Sequence, residues 1–116
     1  GDERRLIDNA MTMLRTLVEE TGIGMLLVSH LKRPEGNKGH EEGATTSLSQ
    51  LRGSHAIAQL SDLVIGLERN QQSDTPNVTT IRVLKNRFSG DTGIAGELHY
   101  NRGTGRLTEE VTEDLF

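Results

Sequence analysis

At 116 residues the chain is long enough for one domain with a moderate core. It has no cysteine, which excludes disulfides and cysteine-ligated metal and suits a reducing compartment. No apolar run approaches membrane-spanning length or has the layout of a signal peptide. The formal net charge of -4 is unevenly placed: residues 108–116 hold four carboxylates and no basic group, whereas Lys32, Arg33, Lys38, Arg52, Lys85 and Arg87 lie in the middle. Local basic loops govern phosphate contacts, so the global charge does not exclude nucleic acid. With 3% aromatic residues, the core must rest on Leu, Ile, Val, Met and Ala.

Asp2 to Thr21 reads as an amphipathic helix, with Leu6, Ile7, Ala10, Met11, Leu14, Leu17 and Val18 forming one stripe at three- and four-residue steps. Asp2 and Glu3 suit the positive end of the helix dipole, and Gly22 can close the helix in a left-handed cap. The run Ile23 to Val28 has the near-continuous apolarity of a strand covered on both faces. It ends in Ser29-His30-Leu31-Lys32-Arg33-Pro34, as a buried strand does when it delivers polar side chains to a sheet edge, where ligands collect in open α/β folds. Pro34 to Thr46, with Gly36, Gly39 and Gly43, reads as a mobile loop.

Residues 47–54 form a short ordered return, and Ser54 can cap a brief helix through Leu60. Leu63 to Leu67 reads as a second buried strand ending in Glu68-Arg69. Val78 to Leu84 alternates as a strand, Lys85 to Gly93 is a loop or wide hairpin, and Ile94 to Tyr100 is a further strand that turns into Arg106-Leu107. The expected architecture is α/β: a mostly parallel sheet with a C-terminal antiparallel hairpin. The expected organisation is a domain over 1–107 followed by an acidic tail over 108–116.

His30, Arg69, Lys85 and Arg87 all fall at strand ends or just past them. Singly, a strand-end histidine is most often a structural hydrogen-bonder and an exposed arginine a solvated edge. Together they describe an anion site, because an arginine fork binds phosphate bidentately and stabilises charge on a transferring phosphoryl group. No phosphate-cradling G-x-x-x-x-G-K-[ST] loop occurs in the chain, so it has the character of a nucleotide machine without its phosphate grip. The loop from Lys32 to Lys38 suits contact with a phosphodiester backbone without base reading, or else is simply a surface loop. Tyr100, the only tyrosine, can stack a base or cover the hairpin. His40, His55 and His99 have no metal-ligand spacing, and no metal site is expected.

Taken in order, Ser29-His30-Leu31-Lys32, Leu51-Arg52-Gly53-Ser54, Gln59-Leu60-Ser61-Asp62, Leu67 to Gln72 and Lys85 to Gly93 closely resemble the C-terminal half of the helicase domain in short-tailed phage primase–helicases. Twinkle-type and DnaB-type helicases are more distant relatives. The resemblance covers nearly the whole chain. It implies a partial RecA-like core working in a hexameric ring on single-stranded DNA, powered by ATP or dTTP with Mg2+. It makes His30 the γ-phosphate sensor and Arg87 the arginine finger inserted into a neighbouring subunit. Arg69 and Tyr100 become the pair that sandwiches the base, with Lys85 beside the nucleotide.

The resemblance further places Lys32, Arg33 and Lys38 in the loop facing DNA, with Arg52 and Gln59 in a motif near the channel. Phe116 would end an acidic tail that docks on the replicative polymerase. A phage-infected bacterial cytoplasm, with no membrane partner, is the implied setting. The sequence departs from the family pattern in two places: Gly36 and Asn37 stand where another lysine is expected, and the tail is short. The Walker A lysine, the catalytic glutamate and the Walker B aspartate would precede Gly1, so this piece alone is expected not to hydrolyse nucleotide. Two alternatives stay open: a stand-alone helicase-like module that docks on a polymerase, and a remnant of a RecA-type recombinase or clock-type ATPase.

Overall fold

The computed structural model describes residues 2–32, 38–51 and 55–109. Helix α1 spans Asp2–Thr21, and Gly22 ends it at φ 72°, its amide donating to the Val18 carbonyl (2.8 Å). That left-handed geometry is the one glycine adopts without penalty. The helix matches the sequence expectation in both bounds. Of its apolar stripe, however, Met11 alone is buried, while Ile7, Leu14 and Val18 are half-buried and Leu6, Ala10 and Leu17 exposed.

Helix α2, Ala56–Leu60, packs against α1. His55 is its N-cap and makes no side-chain cap bond; the expected cap, Ser54, lies outside the described residues. Four strands follow: β1 Leu63–Arg69, β2 Val78–Asn86, β3 Gly93–Asn101 and β4 Arg106–Glu109. They form one sheet in the order β1-β2-β3-β4, every pairing antiparallel, with register shifts at Val64/Ile65 and Ile81/Arg82.

The α/β class is as expected, but the mostly parallel sheet is not. The connections 70–77, 87–92 and 102–105 are turns without a crossover helix, and parallel neighbours need a crossover of about a dozen residues or more. The run Ile23–Val28 forms no strand, and all of its residues are exposed, Leu26 at 91%. An apolar run becomes a ladder only beside another strand, and the described residues place none next to it.

The expected burial of β1 also fails. Gly66 and Glu68 are buried, but Leu63, Ile65 and Leu67 are exposed. The reason is one-sided cover. The segment 38–50 lies over the Gly66 and Glu68 face, where a Cβ added at Gly66 would overlap Thr46 Oγ1. Among the described residues no helix or strand covers the opposite face of β1 well enough to bury those three side chains. Alternation along a strand therefore separates these neighbours into a wet and a dry set.

Candidate nucleotide and DNA-contacting site

Strand pairing and turns bring Arg69 and Tyr100 to one pocket, together with Gln71, Pro76, Asn77, Thr79, Arg102 and Leu107. Arg69 closes β1, and its Nε donates to the Pro76 carbonyl (2.5 Å), which fixes the plane of the guanidinium. Tyr100 sits near the end of β3, with its amide donating to the Asn77 carbonyl (2.8 Å). A planar cation and an aromatic ring on a shared concave surface can hold a flat heterocycle by stacking and cation–π attraction.

Lys85 and Arg87 belong to a second cluster, at the C-terminal end of α2. The last carbonyls of a helix have no partner within it and must be satisfied elsewhere. Here cations satisfy them: Lys85 Nζ donates to the carbonyls of Ala58 (2.7 Å) and Gln59 (3.2 Å), and Arg87 Nη2 donates to that of Gln59 (2.9 Å). Arg87 Nη1 pairs with Asp62 Oδ1 at 2.7 Å, while Arg15 Nη1 pairs with Asp62 Oδ2 at 2.9 Å. The hydrogen bond from Arg15, with Arg87 and Lys85 adding attraction, holds the Asp62 carboxyl below the usual carboxylate range. Asp62 links α1 to the turn that follows β2, and the Ala58 and Gln59 carbonyls join α2 to the same cations.

His30 does not join either cluster. It is exposed at the end of the irregular segment 22–30, and its ring is not among the groups gathered around Asp62. The sequence expectation that it shares a sheet edge with Arg69, Lys85 and Arg87 is corrected accordingly, since the segment bearing it is not a strand. Lys85 likewise stands with Arg87 at α2 and does not line the Arg69–Tyr100 pocket.

Lys32 and Lys38 are both exposed on a loop closed at its stem by the Leu31–Leu51 bridge and by the Lys32 amide donating to the Gln50 carbonyl (2.6 Å). Gln59 is exposed on α2. Arg33, Arg52 and Phe116 lie outside the described residues. Among the described residues no cluster of histidine and carboxylate groups could hold a metal ion. No helix among them is long and apolar enough to cross a membrane.

Sequence reasoning missed the clamp that docks the loop on the sheet. Glu68 accepts from the Thr46 amide and hydroxyl, both at 2.7 Å, and from Arg82 Nε (2.8 Å) and Nη2 (3.2 Å). Glu68 faces Thr80 in the register and Arg82 faces Gly66, so the ion pair is a diagonal cross-strand contact. Burial opposes ionisation of Glu68, but the bonds from Arg82 and Thr46 outweigh it and keep the carboxyl below its ordinary value. The same loop meets the end of β1 again: Gln71 donates its amide to the Glu41 carbonyl (2.9 Å), and Glu42 bridges Asn70. One signal was available in the sequence: charged residues at interior positions of β1 and β2 call for a partner.

No family model matches the chain. It is 55% identical over 107 residues to the DNA helicase/primase of Enterobacteria phage T3, a match covering 92% of this chain and 19% of that protein. The chain thus spans about a fifth of the length of that relative. Among solved structures, an ATPase domain aligns at 24% identity with a TM-score of 0.49, over 58% of this chain and 24% of that one. Along nearly all of its own length, the chain is similar to one segment of that phage protein.

Proposed function

We propose that the chain is the C-terminal part of the RecA-like helicase domain of a ring-shaped replicative DNA helicase, which couples nucleotide hydrolysis to movement on single-stranded DNA. The similarity to a DNA helicase/primase supports this reading. The observation that carries it at the level of residues is the meeting of Arg69 and Tyr100, distant in sequence, on one pocket. These two clamp the nucleotide base. Arg87 acts as the arginine finger toward a neighbouring subunit, and His30 reports the γ-phosphate. Lys32, Arg33, Lys38, Arg52 and Gln59 face the DNA, and Phe116 is the docking point for the polymerase.

The fit to a nucleotide is partial in an instructive way. Arg69, Tyr100 and Arg102 line one pocket, but the sequence has no G-x-x-x-x-G-K-[ST] loop, and its described residues hold no group of three or more histidines and carboxylates able to bind a metal ion. ATP or dTTP with Mg2+ would therefore have its phosphates and metal gripped by the rest of the whole protein. The bound nucleotide supplies the phosphoryl bond whose cleavage drives movement. This chain holds the base, contributes positive charge across the subunit boundary, and touches the DNA backbone.

The test is Arg87→Ala in the full-length protein. DNA-stimulated hydrolysis should fall by roughly a thousandfold or more, the usual worth of an arginine finger, while nucleotide affinity stays near wild type. Equal loss of binding and turnover, or loss of neither, contradicts the reading.

A further inference from the structure

In the described structure the guanidinium of Arg87 is already engaged within its own chain. Asp62 takes one nitrogen at 2.7 Å and the Gln59 carbonyl takes the other at 2.9 Å, and the Arg87 amide donates to the Asp62 carbonyl (2.9 Å). The side chain is still 42% exposed, so the hold is solvent-accessible and reversible. Asp62 keeps a second partner, Arg15 at 2.9 Å, on its other oxygen. The aspartate therefore does not become an unpaired charge when Arg87 leaves.

Gln59 makes the arrangement directional. Its exposed side chain belongs to the proposed DNA-facing set, while its own backbone carbonyl accepts from both Arg87 and Lys85. A strand bound at Gln59 would therefore act on the residue whose carbonyl is one of the two acceptors of the Arg87 guanidinium.

We infer that Asp62, with the Gln59 carbonyl, is a positioning latch that parks Arg87 until DNA and a neighbour's nucleotide draw it away. The inference rests on the proposed role of Arg87 as a finger and adds a residue that controls when the finger is available. A triphosphate offers more negative charge than one shared carboxylate, so transfer of the guanidinium to it is favoured once the two are within reach. In the absence of DNA, the latch keeps turnover low.

The experiment compares steady-state hydrolysis by the full-length protein with and without single-stranded DNA. Asp62→Asn keeps the shape but removes the charge. It should raise kcat without DNA about threefold, the factor expected for loss of a half-exposed ion pair, and leave KM for nucleotide unchanged. The ratio of DNA-stimulated to basal turnover then falls by the same factor. Asp62→Glu, which restores the carboxylate, should return that ratio toward wild type. Arg15→Met breaks the other half of the cluster and frees Asp62 to hold Arg87 alone, so basal turnover should stay at or below wild type.

An unchanged ratio in Asp62→Asn overturns the latch, as does an equal rise in Arg15→Met, which would mark a general loosening. A variant Asp62→Asn that no longer folds overturns it too, because the aspartate would then be an anchor of the fold. Failure of Arg87→Ala to affect hydrolysis would instead overturn the finger itself, so the two failures are distinguishable.

Discussion

Removing the Glu68 carboxylate should release the segment 38–50 from the sheet. Thr46 is 2% exposed, and its amide and hydroxyl both donate to Glu68, so Glu68→Ala strands two donors where water does not reach. A buried donor left unsatisfied costs about 1–3 kcal/mol. The amide contributes the larger share, because the hydroxyl can rotate toward another acceptor. Arg82, a quarter exposed, can turn to solvent and adds little. The sum is about 3 kcal/mol, which at 1.4 kcal/mol per decade is roughly a hundredfold change in the equilibrium for opening the loop. Hydrogen–deuterium exchange of the full-length protein reads this directly. The Thr46 amide should exchange about a hundredfold faster in Glu68→Ala, with peptides from β2 and β3 little changed. Glu68→Gln, which keeps one acceptor, should show about a tenth of that acceleration. Exchange at Thr46 within a fewfold of wild type would refute the clamp.

Gly66→Ala should undock the same segment by collision, at about 1–3 kcal/mol, since its Cβ would overlap Thr46 Oγ1; thermal melting should show the loss, and Thr46→Gly should restore part of it. The folded-state pKa of Glu68 lies below its unfolded value, so the clamp's contribution is present above the ordinary glutamate range and disappears as pH falls through the folded value. Acid titration of stability should therefore bring wild type and Glu68→Gln together at low pH; curves that stay parallel would contradict this. Tyr100→Ala should weaken nucleotide binding by about 1–3 kcal/mol, measured by fluorescence titration, with no effect if the ring merely covers the hairpin. Replacing Lys32 and Lys38 with alanine should flatten the salt dependence of single-strand binding by about 0.7 per lost phosphate contact, and an unchanged slope would remove the loop from the DNA path.

What the sequence made legible was whatever depends on local pattern. The stripe at three- and four-residue steps, closed by Gly22, marked α1 at both ends; alternation located β2, and the run Ile94 to Tyr100 located β3. The residues Arg69 and Tyr100 were paired in advance by resemblance, and the antiparallel pairings deliver them to one pocket. The failures come from non-local terms. Apolarity made Ile23–Val28 look like a buried strand, but a ladder needs a neighbour that the described residues do not place there. The short connections after β1 were a usable warning against a parallel sheet, because they leave no room for a crossover. The Asp62 cluster joins residues from α1 to the end of β2, and no spacing rule reaches that far. Glu68 was visible as a charge closing a strand, yet only the approach of Thr46 over Gly66 shows why it is buried.

The central claim is that the Arg87 guanidinium completes a nucleotide site belonging to the next subunit, and complementation tests it most directly. Subunits carrying Arg87→Ala are mixed with subunits carrying Arg69→Ala and Tyr100→Ala, at a nucleotide concentration where neither preparation turns over alone. Recovery of DNA-stimulated hydrolysis in the mixture is the predicted result, since an intact base clamp on one subunit then meets an intact arginine from its neighbour. A mixture as inactive as its components, with mixed assemblies demonstrated, would contradict the account.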